Sequence, residues 1–222
     1  MKASGVILAA GRGVRFGGGK ALVTLRGRPL LHWCAEAFAA SGAVEELVVV
    51  ARPGEEARTR EVLRGIPLPA RVVPGGERRQ DSARAGVEAA RGEYVLVHDV
   101  ARPLVAPELI RRVLEAAREY GAAVPTVPVV DTVRYMDGRG FLRAEEVSRK
   151  GLVRIQTPQG FRRELLRAAL EAAEREGLYL TDDAAALLAL GMPVAAVPGD
   201  PKNLKITHPE DLALAESLIS RC

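Results

Sequence analysis

Ile7-Leu-Ala-Ala-Gly-Arg-Gly-Val-Arg-Phe-Gly-Gly-Gly-Lys20 is the stretch on which the fold turns: an apolar strand runs straight into five glycines, with Arg12, Arg15 and Lys20 spaced among them. Glycine lets the backbone aim its N–H groups at a phosphate with no Cβ in the way, and the basic side chains supply fixed charge around it. The segment departs from both familiar glycine-loop signatures. Gly13 to Gly18 has Walker spacing, but the next residue is Gly19, and Lys20 is followed by Ala21. The dinucleotide pattern begins with Gly11 and Gly13 and then meets Phe16 where its third glycine belongs. On this segment alone a phosphate cradle and a basic surface loop both remain open.

Outward from it, short β-rich runs alternate with amphipathic stretches. Strands are expected at residues 5–10, 46–51, 70–73, 94–98, 122–127 and 194–197. Glu46-Leu-Val-Val-Val-Ala51 is apolar throughout rather than alternating, which suits a parallel sheet buried on both faces. Helices are expected between the strands. One covers 29–41, with Pro29 at its start and Gly42 just past its end. Another begins at Asp81 or Ser82, either of which can cap it, and runs to Arg91. Residues 107–120, 162–176, 181–190 and 209–220 complete the set. The expected architecture is a single α/β domain over 1–222, a wound, mostly parallel Rossmann-like sheet flanked by helices. Residues 131–150 interrupt it: Asp137-Gly-Arg-Gly140 is a turn signal between Thr132-Val-Arg-Tyr-Met and Phe141-Leu-Arg, which reads as an inserted β-hairpin arm. A hairpin of that size is marginal by itself and must pack on something, either its own domain or a second subunit.

Composition narrows the function. At 222 residues the chain can bury a core without disulfides or metal. Its 4% aromatic content argues against a base-stacking nucleic-acid platform. The 27 arginines against five lysines are dispersed rather than gathered in a tract, which favours small anionic ligands over nucleic acid. Cys34 and Cys222 make neither a disulfide framework nor a metal site, and His32, His98 and His208 are not at zinc spacing. A reducing, cytoplasmic setting is expected, because no run is apolar and long enough for a membrane span and no secretory h-region follows Met1.

In a sheet of this kind, ligands gather at loops leaving the carboxyl ends of strands. Pro74-Gly-Gly-Glu-Arg-Arg-Gln-Asp-Ser82 places glycines, Arg79 and Ser82 near a helix start, where they can read a base edge or a phosphate, or simply cap the helix. His98-Asp99-Val-Ala-Arg102-Pro puts a carboxylate at the end of a buried strand; Asp99 can hold a divalent cation or a ribose hydroxyl, or pair with Arg102. Lys202-Asn-Leu-Lys205 holds two of the five lysines, compact point charges suited to phosphate. Thr157, in Ile-Gln-Thr-Pro-Gln-Gly-Phe161, and Thr181, in Leu-Thr-Asp-Asp183, can bond phosphate through their hydroxyls, although Thr181 also fits a helix cap. Without a nucleophile elbow or a catalytic cysteine motif, the pattern points to phosphoryl or nucleotidyl transfer driven by positioning and charge neutralisation.

These motifs in this order, with Asp131-Thr132 and Asn203-Leu-Lys-Ile-Thr-His-Pro-Glu-Asp-Leu212, resemble the 2-C-methyl-D-erythritol 4-phosphate cytidylyltransferase family of nucleotidyltransferases, from about residue 5 to the end. The resemblance implies a fold of the nucleotide-diphospho-sugar transferase type. It also implies transfer of CMP from CTP to methylerythritol phosphate in the non-mevalonate isoprenoid pathway, with Mg2+ bound mainly through the CTP phosphates. It gives catalytic roles to Arg15, Lys20, Arg149 and Lys205. Nucleotide-binding roles fall to Ala9, Ala10, Gly11 and Gly13, to Gly75, Gly76, Arg79 and Ser82 near the cytosine, and to Asp99 and Val100 near the ribose. Arg102, Thr157, Thr181 and Lys205 line the methylerythritol phosphate side. The hairpin would build a homodimer and send Thr132 and Arg149 into the neighbouring site. Rival readings are a cytidylyltransferase for another polyol phosphate, such as ribitol 5-phosphate, and a non-catalytic nucleotide-binding regulator; neither nucleic acid nor membrane is an expected partner. Three features depart from the family's usual pattern: a short Arg15–Lys20 stretch without the usual flanking proline and glutamine, Val100 in place of alanine, and Glu77 in place of aspartate.

Overall fold

The computed structural model describes residues 2–11 and 19–219, with Lys20 described in its backbone alone. The first strand, β1 (Ala3–Leu8), is buried along its whole length and forms the middle of the sheet. It pairs in parallel with β4 (Glu46–Ala51) on one side and β6 (Tyr94–Asp99) on the other, and β4 pairs in parallel with β5 (Ala70–Pro74). Leu8 is in register with both Val50 and Asp99, and Ala51 with Pro74. Four strands therefore end along one edge, and the loops after β1, β4, β5 and β6 open side by side.

Period-two alternation divides the core between the two faces of the sheet. Ile7 and Val49 pack with Phe38, Leu109 and Ile110, which belong to α1 (Leu30–Ser41) and α4 (Pro107–Tyr120). Val6, Leu8, Val48 and Val50 pack against α3 (Arg79–Ala89), α5 (Arg163–Arg175) and α6 (Ala184–Ala189) through Val87, Leu166, Leu170 and Leu187. Each fully buried leucine, isoleucine or phenylalanine contributes roughly 1.5–3 kcal/mol. The expected helix punctuation holds: Pro29 precedes α1, and Gly42 closes it in the left-handed region at φ 61°, its N–H donating to the Ala39 carbonyl at 3.2 Å.

The far side of the sheet differs from the sequence expectation. Two short strands, β10 (Val153–Ile155) and β11 (Gln159–Arg162), run antiparallel, and β11 lies between β6 and β7 (Ala122–Pro128). The last strand, β12 (Ala195–Pro198), returns parallel to β7. The sheet is thus mixed yet mostly parallel. A short helix, α2 (Glu56–Val62), was not expected; it buries only Thr59, so its sequence carries no apolar stripe. Helix α3 starts at Arg79, before both proposed caps. Asp81 lies in its first turn, where it accepts the Arg78 backbone N–H at 3.0 Å. Helix α6 is shorter than expected, because Asp182 and Asp183 form the turn ahead of it. The chain closes with α7 (Glu210–Ile219), and a small pair, β2 (Thr24–Leu25) and β3 (Arg28–Pro29), leads into α1.

The arm is present as β8 (Arg134–Met136) and β9 (Leu142–Glu146), paired, among the described residues, only with each other. Asp137 Oδ1 accepts the N–H groups of Arg139 and Phe141 and shapes the turn. Both strands are exposed throughout.

Candidate active site

The loops at the carboxyl edge enclose a cleft of about 650 Å³. Ala9, Ala10 and Gly11 form one wall, Gly75 and Gly76 another, and Asp99 and Val100 the floor, with Arg79, Ser82 and Lys205 also lining it. The backbone holds these walls together: Ala9 N–H donates to Val50 O at 2.8 Å, Gly75 N–H to Ala51 O at 2.8 Å, and Val100 N–H to Leu8 O at 3.2 Å. Gly75 is required by close approach, since a Cβ there would stand 2.4 Å from the Ala10 Cβ and 2.7 Å from Ser82 Oγ. Ser82 Oγ accepts the Gly76 N–H at 3.2 Å, so this serine fixes the glycine wall as well as facing the cleft. The sequence motif is thereby explained: two glycines let the chain leaving β5 pass close under the first loop, and α3 supplies the hydroxyl that pins them.

At the floor, Asp99 sits between two cations. Arg79 donates through Nε and Nη2 to Asp99 Oδ1 at 3.2 and 3.1 Å, and Lys205 Nζ lies 2.8 Å from Oδ2. The same guanidinium forks onto Asp183, at 2.9 Å to Oδ1 and 2.7 Å to Oδ2. Burial by itself would raise the Asp99 carboxyl, but Arg79 and Lys205 hold it well below the usual carboxylate range. Burial would likewise lower Arg79, and the two carboxylates, Asp183 foremost, keep it above its ordinary value. Asp183 is fully buried, and that burial raises its carboxyl against the pull of Arg79. The floor therefore presents an ionised carboxylate with one oxygen locked by arginine and the other on a half-exposed lysine.

The remaining sequence candidates are placed unevenly. Thr157 is buried behind Asp99 rather than in the cleft wall. Its Oγ1 accepts the Asp99 backbone N–H at 3.1 Å and lies 3.0 Å from His98 Nδ1. His98 Nε2 faces the Arg102 carbonyl at 3.0 Å, so Nε2 carries the proton and Nδ1 accepts from the threonine. Arg102 itself is directed to the carbonyls of Asn203, at 2.8 Å, and Ile155, at 3.4 Å. Thr181 is exposed, and the helix-start role belongs to its neighbour Asp182, whose Oδ1 accepts the Ala185 N–H at 3.0 Å. Thr132 and Arg149 lie exposed at the base of the arm, where Arg149 bonds the Val130 carbonyl. Gly13 and Arg15 fall outside the described residues, and Lys20 opens a short 3-10 turn that ends at Leu22.

Sequence reasoning missed Asp183, Gln156 and Gln159, all buried and polar. The signal was present in the two glutamines flanking Thr157-Pro158, where an apolar strand end would otherwise be expected. For a metal, no group of three or more His, Cys, Asp or Glu side chains is assembled among the described residues. The donor set suits a hard cation carried on substrate phosphates and touched by one ionised carboxylate, Asp99, rather than a cage built by protein alone. Nor is any helix among the described residues long and apolar enough to cross a membrane.

A wound sheet with a glycine-walled, cation-bearing cleft at its carboxyl edge defines an α/β fold of the nucleotidyltransferase type. The model of the 2-C-methyl-D-erythritol 4-phosphate cytidylyltransferase family, IspD, matches residues 4–221, and the chain belongs to that family. The enzyme of that name from Thermus thermophilus is 46% identical over 98% of this chain and 97% of its own length. Its crystal structure superimposes with a TM-score of 0.84 at 44% identity, covering 99% of this chain and 100% of that one. The 4-diphosphocytidyl-2C-methyl-D-erythritol synthase of Anaerococcus prevotii, at 27% identity, gives a TM-score of 0.87 over 99% of this chain and 98% of its own. The chain also matches the bifunctional IspD/IspF enzyme of an Anaeromyxobacter species at 46% identity over 98% of its length, and there it spans only 57% of the relative.

Proposed function

We propose that this chain transfers CMP from CTP to 2-C-methyl-D-erythritol 4-phosphate. A phosphate oxygen of the acceptor attacks the α-phosphorus of CTP, the bond from that phosphorus to the oxygen bridging to the β-phosphate breaks, and pyrophosphate leaves with that oxygen. The product is 4-diphosphocytidyl-2-C-methyl-D-erythritol. The observation that carries the reading is Asp99, held ionised between Arg79 and Lys205 on the floor of a glycine-walled cleft.

Each part of the site has work in that reaction. The backbone of Ala9–Gly11 and the wall of Gly75 and Gly76 admit a nucleotide closely, and Ser82 and Glu77, which line the same cleft, serve the base. Arg15 and Lys20 neutralise the charge that grows on the α-phosphate and leaving group as the bond breaks. Lys205 exchanges Asp99 for the acceptor phosphate, and Arg102 carries a second positive charge to that side. Asp99 and the triphosphate would hold Mg2+, which would offset negative charge on the phosphates. The arm joins two copies and brings Thr132 and Arg149 to the partner's acceptor side; the exposed Tyr135, Met136, Phe141 and Leu142 support a covered face there. The cysteine usage fits a cytoplasmic enzyme.

Pyrophosphate release tests the proposal. With CTP and Mg2+, release is expected with methylerythritol phosphate and about tenfold less, or lower still, with ribitol 5-phosphate. Release with ribitol 5-phosphate alone, or with neither acceptor, overturns it.

A further inference from the structure

Both oxygens of Asp99 are gripped by cations, and each grip depends on a segment outside any strand or helix. Residues 199–207 carry Lys205, and the turn at residues 181–183 carries Asp183, which orients Arg79. What holds those two segments is a pair of buried glutamines three residues apart. Gln156 is 5% exposed and Gln159 1% exposed. Gln156 clips the Asp200 residue on both sides, its Nε2 donating to Asp200 O at 2.8 Å and its Oε1 accepting Asp200 N–H at 3.1 Å. It also reaches the Asn203 carbonyl at 3.3 Å. Lys205 follows two residues later. Gln159 does the same work on the other side: its Oε1 accepts the N–H groups of Asp183 and Ala184 at 3.1 and 3.0 Å, and its Nε2 donates to Asp182 Oδ2 at 2.9 Å. Asp183, fixed in this way, holds the Arg79 fork that reaches Asp99 Oδ1.

We infer that Gln156 and Gln159 are paired positioning residues for the transfer reaction: Gln156 sets the Lys205 side of Asp99 and Gln159 sets the Arg79 side. The inference rests on the transfer activity proposed above. Neither glutamine lines the cleft, so neither is a catalytic residue. A side-chain amide can satisfy a backbone N–H and a carbonyl together without adding charge beside Asp99. A buried carboxylate or lysine in either place would compete for the same partners. The arrangement also explains why Arg79 lines the cleft with its fork already occupied; it acts on substrate through Asp99.

The test is a crossed set of double mutants with pyrophosphate release as the readout. Gln156→Met is near-isosteric and removes the clip. It is expected to lower kcat by about ten- to a hundredfold, as a misplacement on the order of 1 Å does, while KM for CTP changes by less than about threefold. In a Lys205→Ala background the same substitution should change kcat by less than about twofold, whereas in an Arg79→Lys background it should retain its full effect. Gln159→Met should show the mirror pattern, silent with Arg79→Lys and fully expressed with Lys205→Ala. A merely structural role would lower kcat by the same factor in every background, and that result, or a Gln156→Met enzyme within about twofold of the parent, overturns the inference. Gln159→Met leaves two buried N–H groups unpaired; if it does not fold, the Gln156 arm decides alone, since Asp200 is only half-buried. If the parent chain itself releases no pyrophosphate, it is the transfer reading that fails. The two clips are then read without turnover by hydrogen exchange: Gln156→Met should speed exchange at residues 200–205 and leave 181–184 unchanged, Gln159→Met should do the reverse, and equal exchange in both variants overturns the inference.

Discussion

Gly75→Ala places the added methyl where the cleft walls meet. The new Cβ would lie 2.4 Å from the Ala10 Cβ and 2.7 Å from Ser82 Oγ, against an ordinary contact of 3.4 Å or more. The wall formed by the first loop must therefore move by about 1 Å, or α3 must shift and loosen the Ser82 bond to Gly76. Overpacking of this kind costs about 1–3 kcal/mol. In a domain of this length each kcal/mol lowers Tm by about 2–4 °C, so a fall of roughly 2–12 °C is expected. The same displacement at a nucleotide wall should lower kcat/KM for CTP by about a hundredfold. Thermal unfolding and a coupled pyrophosphate assay read the two quantities on one preparation. Adding Ala10→Gly removes the shorter contact and should restore part of both losses. A Gly75→Ala chain within about 1 °C and about twofold of the parent would refute the close-approach argument.

Two further perturbations probe other parts of the structure. His98 is buried and neutral, its pKa pushed down by burial to about 4, against about 6.5 in the unfolded chain. Its contribution is present in full above about pH 6.5 and is lost as pH falls toward 4, because the unfolded chain binds the proton first; the loss between pH 7 and 4 is about 3 kcal/mol. Urea unfolding across that range should show the slope, and His98→Gln, which can accept from Thr157 and donate to the Arg102 carbonyl, should flatten it; equal slopes in both chains would refute the assignment. On the arm, Phe141 and Leu142 are 67% and 72% exposed, so Phe141→Asp should raise the dimer Kd at least about tenfold in sedimentation velocity. An unchanged dimer would contradict the arm's role.

The central sheet was legible because its signals are local. Glu46–Ala51 is apolar in every residue after the first, and Pro29 and Gly42 bracket α1 by backbone geometry alone. Asp99 was legible for the same reason, as a carboxylate at the end of a buried strand. What was not legible depends on distant partners. Strand β10 is exposed and three residues long, and β11 carries a glutamine and a glycine, so neither has a strand's apolar pattern. Arg79 was expected at the nucleotide, and the structure gives its fork to Asp99 and Asp183, the latter 104 positions away. Thr157 was expected on phosphate and instead orders Asp99 and His98 from behind. His98 gave no signal, because a histidine held neutral by burial has no spacing to betray it.

Phosphorus NMR of the chain incubated with CTP, Mg2+ and 2-C-methyl-D-erythritol 4-phosphate addresses the central claim most directly. The account requires the acceptor's phosphate monoester resonance to be replaced by a pair of coupled diphosphate resonances, with pyrophosphate appearing in equal amount. An unchanged monoester signal beside intact CTP would contradict it, as would CTP breakdown to CMP and pyrophosphate with the acceptor untouched.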